Sequence, residues 1–377
     1  MRNMKKNIKP LNPFLITGYL NPDYFCNREK ETNSMINALQ NDRNLTLIAP
    51  RRMGKTGLIK NVFYHLEQTN PEIAFFYMDI FFTRNLGEFV QLFASTVLEK
   101  SIFTPQKTIK RVTNFITGLR PTLTVDEFTG MPKITVNVVP SQEENSLKEV
   151  FSYLQQSGKR CLVAIDEFQQ VVAYPEKGVE ALLRSYIKFL PSVHFIFSGS
   201  KQHVMQEMFF SAKRPFYQST QIVSIDSIPK EDYYRFAAAF FEPKRTISQE
   251  IFSSMYDEFD GHTWYIQSIL NRLYGSKEQK IDIKSVRSVI IDIVSESTYT
   301  FEKLLSAYTP SAVNLLKAIA KERCVKEVNS GSFITRYGLK AASSVNTALK
   351  KLIDNELIYK TSSGYIVYDR FMAIWLR

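Results

Sequence analysis

Residues 45–67 constrain the fold more than any other stretch of the chain. A short apolar run, Leu45 to Ala49, leads into Pro-Arg-Arg-Met-Gly-Lys-Thr, and helical spacing then continues from Lys55 to Glu67. A buried strand that ends in a Gly-Lys-Thr loop and runs directly into a helix is the context that a phosphate-binding loop requires. Backbone N–H groups of the loop and the helix N-terminus would then face phosphate. The segment predicts a nucleotide-binding α/β domain, although an ordinary strand–turn–helix is the alternative.

The positions of this loop have distinct chemical roles in such a site. Lys55 would reach the β- and γ-phosphates, and the hydroxyl of Thr56 would bind Mg²⁺. The first glycine of the usual pattern is replaced by Ala49, which costs about 1 kcal/mol if that position needs a positive φ. The predicted nucleotide-binding residues of the loop are Ala49, Pro50, Arg51, Arg52, Met53, Gly54, Lys55, Thr56 and Gly57. Arg51 and Arg52 would contact phosphate or protein, or simply be solvated.

A second motif supports the nucleotide site. The apolar run Leu162 to Ile165 ends in Asp166 and Glu167. Strand ends in parallel α/β sheets face the ligand crevice, so Asp166 would hold Mg²⁺ through water and Glu167 would polarise a water for attack on the γ-phosphate. The alternative is a strand that simply ends in a polar pair. Together with the loop about 110 residues earlier, this motif makes nucleotide binding the preferred interpretation.

A third apolar run, residues 193–197, ends in Ser198, Gly199 and Ser200. Either serine would hydrogen-bond the attacking water or the γ-phosphate, and a turn at Gly199 is an equally good explanation of each serine taken singly. We take Ser200 as the candidate catalytic residue of this group.

Strand and helix patterns alternate through the first part of the chain. Apolar runs at 45–49, 73–82, 161–165, 193–197 and 221–225 are separated by helical spacing, which predicts a parallel sheet with helices on both faces. Residues 119–140 interrupt the alternation with a predicted β-hairpin around Thr129-Gly130-Met131-Pro132. After Pro229 the chain is predicted to be helical to about Val294. The predicted domains are 1–228, 229–300 and 301–377.

The last seventy residues predict a winged helix-turn-helix. Three helices, 312–321, 332–337 and 341–352, precede a hairpin at 357–360 and 365–368, and the third helix would read a DNA major groove. From residue 308 onward there are eleven Lys or Arg and five Asp or Glu. The candidate phosphate contacts are Lys340, Lys350, Lys351 and Lys360. A protein-docking lid that senses nucleotide state is the alternative.

Composition bounds the class of protein. Lys and Arg number 48 against 37 Asp and Glu, a net charge of +11, which favours a phosphate-rich partner or merely serves solubility. No apolar run approaches 18 residues, so no membrane span is expected. Three distant cysteines form neither a disulfide framework nor a zinc site, which fits a reducing cytoplasm.

The order of these motifs resembles the AAA+ ATPases and, more narrowly, a bacterial member of the archaeal-type ATPase family. Besides the two nucleotide motifs, the matching segments are Phe25-Cys-Asn-Arg28-Glu29-Lys-Glu31, Phe197-Ser-Gly-Ser200, Arg214-Pro-Phe-Tyr217 and Gly261-His-Thr-Trp-Tyr265. The resemblance implies an AAA+ type sheet domain, a helical lid and a winged helix. Some relatives continue into a nuclease-like domain, so we expect no nuclease activity from a chain that ends at Arg377.

The resemblance also implies roles for residues outside the phosphate loop. Phe25, Arg28 and His262 would lie against adenine and ribose, and a helix start packed by Trp264 is the alternative for the turn at His262. Relatives carry an arginine soon after a Pro-hydrophobic-Tyr-Gly run, where it acts on a neighbour's nucleotide. Here Gln218 and Ser219 follow Tyr217, so that arginine is missing and Arg214 is the candidate substitute.

These observations predict a Mg²⁺–ATP-binding protein that hydrolyses ATP slowly and couples nucleotide state to DNA or a protein partner. A nucleotide-dependent switch or self-assembling protein with little turnover is the second hypothesis, and the missing arginine favours it. A DNA-binding regulator with a vestigial ATP site is the third, and the intact Lys55, Thr56, Asp166 and Glu167 argue against it.

Overall fold

The computed structural model describes residues 9–102, 119–125, 132–139, 141–242, 245–276 and 280–377. The chain forms two compact units. The first is Thr17–Tyr233, and the second joins the chain up to Ile16 to Tyr234–Arg377. The three-domain division with boundaries after residues 228 and 300 stays a prediction.

The first unit is built on a five-stranded sheet. In chain order, the strands of this unit are β1 (Leu45–Ile48), β2 (Ala74–Asp79), β3 (Leu119–Val125), β4 (Pro132–Val138), β5 (Cys161–Asp166), β6 (Val193–Gly199) and β7 (Gln221–Ser224). Strands β3 and β4 form a separate hairpin, and the other five form the sheet. The order in the sheet is β2-β5-β6-β1-β7, and every pair is parallel. All residues of β1, β5 and β6 are buried, as expected where helices cover both faces. The predicted parallel α/β sheet is confirmed.

Six helices flank this sheet among the described residues. They are α1 (Glu29–Gln40), α2 (Lys55–Thr69), α3 (Leu86–Ile102), α4 (Glu143–Gln156), α5 (Val179–Ile187) and α6 (Gln202–Phe210), and a 3₁₀-helix, Phe168–Ala173, follows β5. Because strand side chains alternate between faces, Leu162 and Ala164 of β5 pack in one core cluster with α1 and α2. Val163 and Ile165 pack on the opposite face, in a cluster rich in phenylalanine.

The hairpin predicted at 119–140 is present as the antiparallel pair of β3 and β4. Leu119 pairs with Val138 and Val125 with Pro132. Of the predicted turn Thr129-Gly130-Met131-Pro132, residues 129–131 lie outside the described residues, and Pro132 begins β4 instead.

The second unit begins with a helical region. Its elements are α7 (Lys230–Phe241, whose first turn belongs to the first unit), β8 (Thr246–Ile247), α8 (Gln249–Glu258), α9 (Thr263–Gly275), β9 (Lys280–Ile281) and α10 (Ile283–Ser306). The helical prediction to Val294 falls short, because α10 continues to Ser306 with Phe301 and Leu305 buried. From the N-terminal arm, Phe14 is fully buried against Phe241 and Tyr274.

The winged-helix prediction is confirmed at the C-terminus. The elements are α11 (Pro310–Glu322), α12 (Gly331–Arg336), α13 (Ala342–Asp354), β10 (Ile358–Lys360), β11 (Tyr365–Val367) and α14 (Arg370–Leu376). Helix α13 buries Val345, Ala348, Leu349 and Leu352 and leaves its opposite face exposed. The final helix, α14, was not predicted; Asp369 caps it by accepting from the N–H groups of Phe371 and Met372. In the described parts of the chain, no helix has the length and apolar character to cross a bilayer.

Candidate functional site

The loop between β1 and α2 contains two residues with positive φ. Gly54 lies in the left-handed region, with φ +91°, and forms the N-cap of α2. Arg52 also has a positive φ, +65°, whereas Ala49 does not. The missing first glycine therefore carries no backbone strain, and the cost considered for alanine at that position does not arise. The N-terminus of α2 is open to an anion because no side chain caps it.

Lys55 is folded into this loop. The residue is 6% exposed, and its Nζ donates to the carbonyl oxygens of Ala49 and Pro50, each at 3.1 Å. These carbonyls hold the ammonium inside the loop, and its contact with phosphate stays a prediction.

The two predicted metal ligands are in direct contact. Thr56 Oγ1 donates to Asp166 Oδ2 at 2.8 Å, although the residues are 110 positions apart. Asp166 is 3% exposed, and its other oxygen accepts from the N–H of Glu167 at 3.0 Å. Tyr77, on the neighbouring strand β2, donates its hydroxyl to the same Oδ2 at 2.8 Å. The buried carboxylate thus accepts three hydrogen bonds, which compensates its burial.

Glu167 stands directly after β5 with φ +55°, a left-handed conformation uncommon for a non-glycine residue. Its Oε2 accepts from Ser200 Oγ and from Gln169 Nε2, both at 2.6 Å. Arg51 Nε in turn lies 3.4 Å from Ser200 Oγ. Ser200 therefore links the carboxylate to the phosphate loop. Ser198 is fully buried, and its hydroxyl has no hydrogen-bond partner among the residues that the structure describes.

Acidic groups concentrate at this edge of the sheet. Asp79 is paired with Asp166 across β2 and β5. Partial burial raises the pKa of the Asp79 carboxyl, and the nearby Asp166 and Glu167 raise it further. Burial also raises the pKa of the Tyr77 phenol well above its ordinary value, and Asp166 adds to that shift. The edge consequently favours a cation beside the phosphate loop.

Two of the three residues predicted to lie near adenine belong to the first unit. The Phe25 ring packs against the start of α2 so closely that a Cβ on Gly57 would lie 2.9 Å from it. Arg28 is buried at the start of α1, donating to Glu31 at 2.8 Å and to the carbonyl of Asp226 at 2.6 Å. Phe25 thus borders the loop, whereas Arg28 joins α1 to the segment that follows β7. Their contact with nucleotide stays a prediction.

The third residue, His262, is in the second unit. It precedes α9 as the N-cap, and its ring centroid lies 4.7 Å from that of Tyr265. Its predicted role toward adenine also stays a prediction.

Arg214 follows α6 and is engaged in ion pairs. It bonds to Glu180 of α5 and lies 3.5 Å from Glu207 of α6. Two and three residues after Arg214, Phe216 is buried and Tyr217 is exposed. The arginine is thus held by two carboxylates of its own chain, and its predicted catalytic role stays a prediction.

The outer face of α13 carries the predicted DNA contacts. Ser343, Asn346, Thr347 and Lys350 are exposed on this helix, and Lys340 is exposed just before it. Lys351 lies over the ring of Tyr308 and Lys360 over that of Tyr365, at 5.4 and 5.5 Å. Asn346 accepts from Asn329 at 2.5 Å.

Three residues of the site were missed from the sequence: Tyr77, Asp79 and Gln169. Tyr77 and Asp79 lie at the end of an apolar strand, and their spacing of two places both on one face. Their nearness to Asp166 depends on the pairing of β2 with β5, which the sequence does not specify. Gln169 stands two positions after Glu167, but its orientation depends on the 3₁₀-helix that begins at Phe168.

Comparison with known families assigns both parts of the chain. Residues 25–269 match the model of an ATPase domain predominantly from Archaea, and residues 299–377 match that of a probable winged helix domain. No curated protein matches the sequence.

Solved structures with the same fold cover nearly the whole chain. The Walker-type ATPase paby2304 of Pyrococcus abyssi has a TM-score of 0.67 at 17% identity, covering 97% of this chain and 99% of its own. The Aeropyrum pernix ORC2 protein, in ADPNP-ADP complexes, has a TM-score of 0.57 at 16% identity, with coverage of 93% and 91%. The Aeropyrum pernix ORC1 protein, in complex with DNA, has a TM-score of 0.55 at 12% identity, with coverage of 98% and 97%.

Proposed function

Because the chain belongs to the family of ATPase domains that come predominantly from Archaea, we propose that it binds ATP with Mg²⁺ and hydrolyses it to ADP and phosphate. The observation that carries this proposal is the 2.8 Å contact between Thr56 Oγ1 and Asp166 Oδ2, beside the buried Lys55. Two motifs that are separated by 110 residues meet there at one edge of a parallel sheet, which is where such sheets bind ligands.

The residues at this edge fit a magnesium ion. The Thr56 hydroxyl and the Asp166 carboxylate are adjacent oxygen donors, and Mg²⁺ prefers oxygen ligands and binds through one or two carboxylates and substrate phosphates. When bound, Mg²⁺ would neutralise charge on the β- and γ-phosphates. Lys55 would exchange its two carbonyl acceptors for phosphate oxygens, because a cation bonds more strongly to charged than to neutral acceptors.

Glu167 is the residue that would act on water in this proposal. Its carboxylate is beside Ser200 at the end of β6, and Ser200 is in turn within reach of Arg51 of the phosphate loop. Glu167 would take a proton from the attacking water, and Ser200 would orient that water or the γ-phosphate. A positioned general base contributes about 10²–10⁴ in rate.

ATP hydrolysis by the purified protein tests this proposal, with and without double-stranded DNA. We expect Glu167→Gln to retain ATP binding and to lose turnover by about 10² or more. Wild-type turnover in Glu167→Gln would refute the assignment. Stimulation by DNA would indicate a DNA-coupled ATPase.

The winged helix is the part of the chain that we propose binds a partner in a manner that depends on the bound nucleotide. The exposed polar face of α13, with Lys340 and Lys350 beside it, suits phosphate contacts on DNA. The complex of the similar Aeropyrum pernix ORC1 protein with DNA supports DNA as the partner. A protein partner that docks on the same module is the alternative.

A nucleotide-dependent switch with little turnover is the second candidate function. Arg214 is the candidate substitute for the missing arginine, and its ion pairs with Glu180 and Glu207 hold it within its own chain. These ion pairs favour the second function. An arginine supplied to the transition state is worth about 10³–10⁵ in rate, so its absence leaves hydrolysis slow. Sedimentation of the Glu167→Gln protein with ATP and with ADP tests this function. Assembly that does not depend on which nucleotide is bound would refute it.

A further inference from the structure

The carboxylate of Glu167 is held by a side chain to which no role has been given. Gln169 Nε2 donates to Glu167 Oε2 at 2.6 Å, and Ser200 Oγ donates to the same oxygen at the same distance. Two hydrogen bonds converging on one carboxylate oxygen restrict the rotation of the carboxylate. They also leave the other oxygen to define a single direction for proton transfer.

Gln169 is itself confined. It is 5% exposed, and its Oε1 has no hydrogen-bond partner among the described residues. That oxygen lies against Gly199, where a Cβ would meet it at 2.3 Å. With the amide oxygen packed on Gly199, the amide N–H₂ faces Glu167, and the reverse orientation would place an acceptor against a carboxylate. A buried amide that leaves one polar atom unpaired carries a free-energy cost that packing alone does not explain.

The backbone conformation of Glu167 also restricts its side chain. Its positive φ, +55°, is uncommon for a residue with a side chain, and sparsely populated backbone conformations persist where the surroundings enforce them. Ser200 and Gln169 reach the carboxylate from two different elements, the end of β6 and the 3₁₀-helix after β5. Backbone and side-chain contacts therefore fix this carboxylate together.

We propose that Gln169 is a positioning residue, which holds the Glu167 carboxylate in the orientation that accepts a proton from water. The inference rests on the proposed ATP hydrolysis. Gln169 acts through Glu167, since its hydrogen bond among the described residues goes to the Glu167 carboxylate and not to the phosphate loop. Its removal would therefore change the chemical step and leave ATP binding intact.

The test compares Gln169→Met with Gln170→Met. Methionine has nearly the length of glutamine and removes the donor. Gln170 is the matched control because it lies in the same 3₁₀-helix and donates instead to the carbonyl of Thr83, at 3.0 Å. ATP turnover, its KM and the ATP dissociation constant are measured for both variants, alone and combined with Glu167→Gln.

We expect Gln169→Met to lower kcat about tenfold, a fraction of what a general base contributes, with the ATP dissociation constant within about twofold of wild type. Gln170→Met should keep the wild-type kcat. In the Glu167→Gln background, Gln169→Met should lower kcat no further, because residues that act as a unit are not additive.

Two results would overturn the inference. One is a wild-type kcat for Gln169→Met while Glu167→Gln is slow, and the other is an equal loss in both backgrounds. Wild-type turnover in Glu167→Gln itself would be a failure of the proposed function instead. In that case urea unfolding of Gln169→Met, Glu167→Ala and the double variant still tests the contact, since purely additive losses would show that the two side chains do not interact.

Discussion

Replacement of Tyr77 by phenylalanine isolates one hydrogen bond at the proposed metal site. The Tyr77 hydroxyl donates to Asp166 Oδ2 at 2.8 Å. Phenylalanine keeps the ring, and with it the contact of Lys60 Nζ, which lies 5.3 Å from the ring centroid. The substitution therefore changes the donor and little else.

The magnitude follows from the surroundings of Asp166. A hydrogen bond to a charged group contributes about 1.5–3 kcal/mol, and Asp166, at 3% exposed, is poorly screened by solvent. Tyr77 is only partly buried, so water can replace part of the lost donor, and we expect a loss near 1.5 kcal/mol. For a unit of this size that corresponds to a fall of about 3–6 °C in Tm. Loss of an outer hydrogen bond to a metal ligand also lowers metal affinity by about 10–100-fold.

Thermal unfolding and the Mg²⁺ dependence of nucleotide binding measure these two effects. Tyr77→Phe is compared with wild type, both alone and in an Asp166→Asn background. We expect the loss in Tm to shrink by most of its value when Asp166 is absent, and a higher Mg²⁺ concentration to be needed for half-maximal binding. An equal loss in both backgrounds, or an unchanged Mg²⁺ dependence, would show that the hydroxyl does not support the carboxylate.

Two further predictions concern other parts of the chain. Burial and the neighbouring Arg160 lower the pKa of His194, while Asp42 opposes the shift. The imidazole of His194 therefore binds a proton more readily in the unfolded chain than in the folded one. Its contribution to the free energy of unfolding should be fully present above about pH 6.5, and should be lost as the pH drops from there toward the lower pKa of the folded state. Unfolding midpoints between pH 5 and 8 should show this slope in wild type and in the exposed-site control His203→Gln, and a smaller slope in His194→Gln. On the winged helix, Lys350→Ala should weaken double-stranded DNA binding and reduce the slope of log K against log salt by about 1. An unchanged slope would place Lys350 outside the contact.

The sequence predicted the sheet well because its signal is local. Fully buried parallel strands read as short apolar runs, and the loop before α2 and the polar end of β5 each carry their residue types within a few positions. The same locality explains the winged helix, where α13 has apolar residues at helical spacing. The extent of α10 was underestimated because four Ser or Thr residues, which are weak helix formers, stand at positions 295, 297, 298 and 300 after Val294.

The contacts that hold the site were not predictable in the same way. Tyr77 reaches Asp166 through the order β2-β5-β6-β1-β7, in which β2 is an edge strand beside β5. That order is a property of the whole sheet, and no local pattern records it. The position of the Gln169 amide likewise depends on the absence of a side chain at Gly199, thirty residues away.

The strand order also explains why the candidate site lies at one edge of the sheet. Every residue of β5 and β6 is buried, so a polar side chain that must meet solvent and ligand can stand only where a strand ends. Parallel strands all end on the same side, which brings Asp79, Asp166 and Ser200 together from three separate segments. The hairpin of β3 and β4 lies between β2 and β5 in sequence but outside the five-stranded sheet. The pairing of Asp79 with Asp166 therefore does not run through the hairpin, and we expect a change in the length of the hairpin to leave the strand ends where they are.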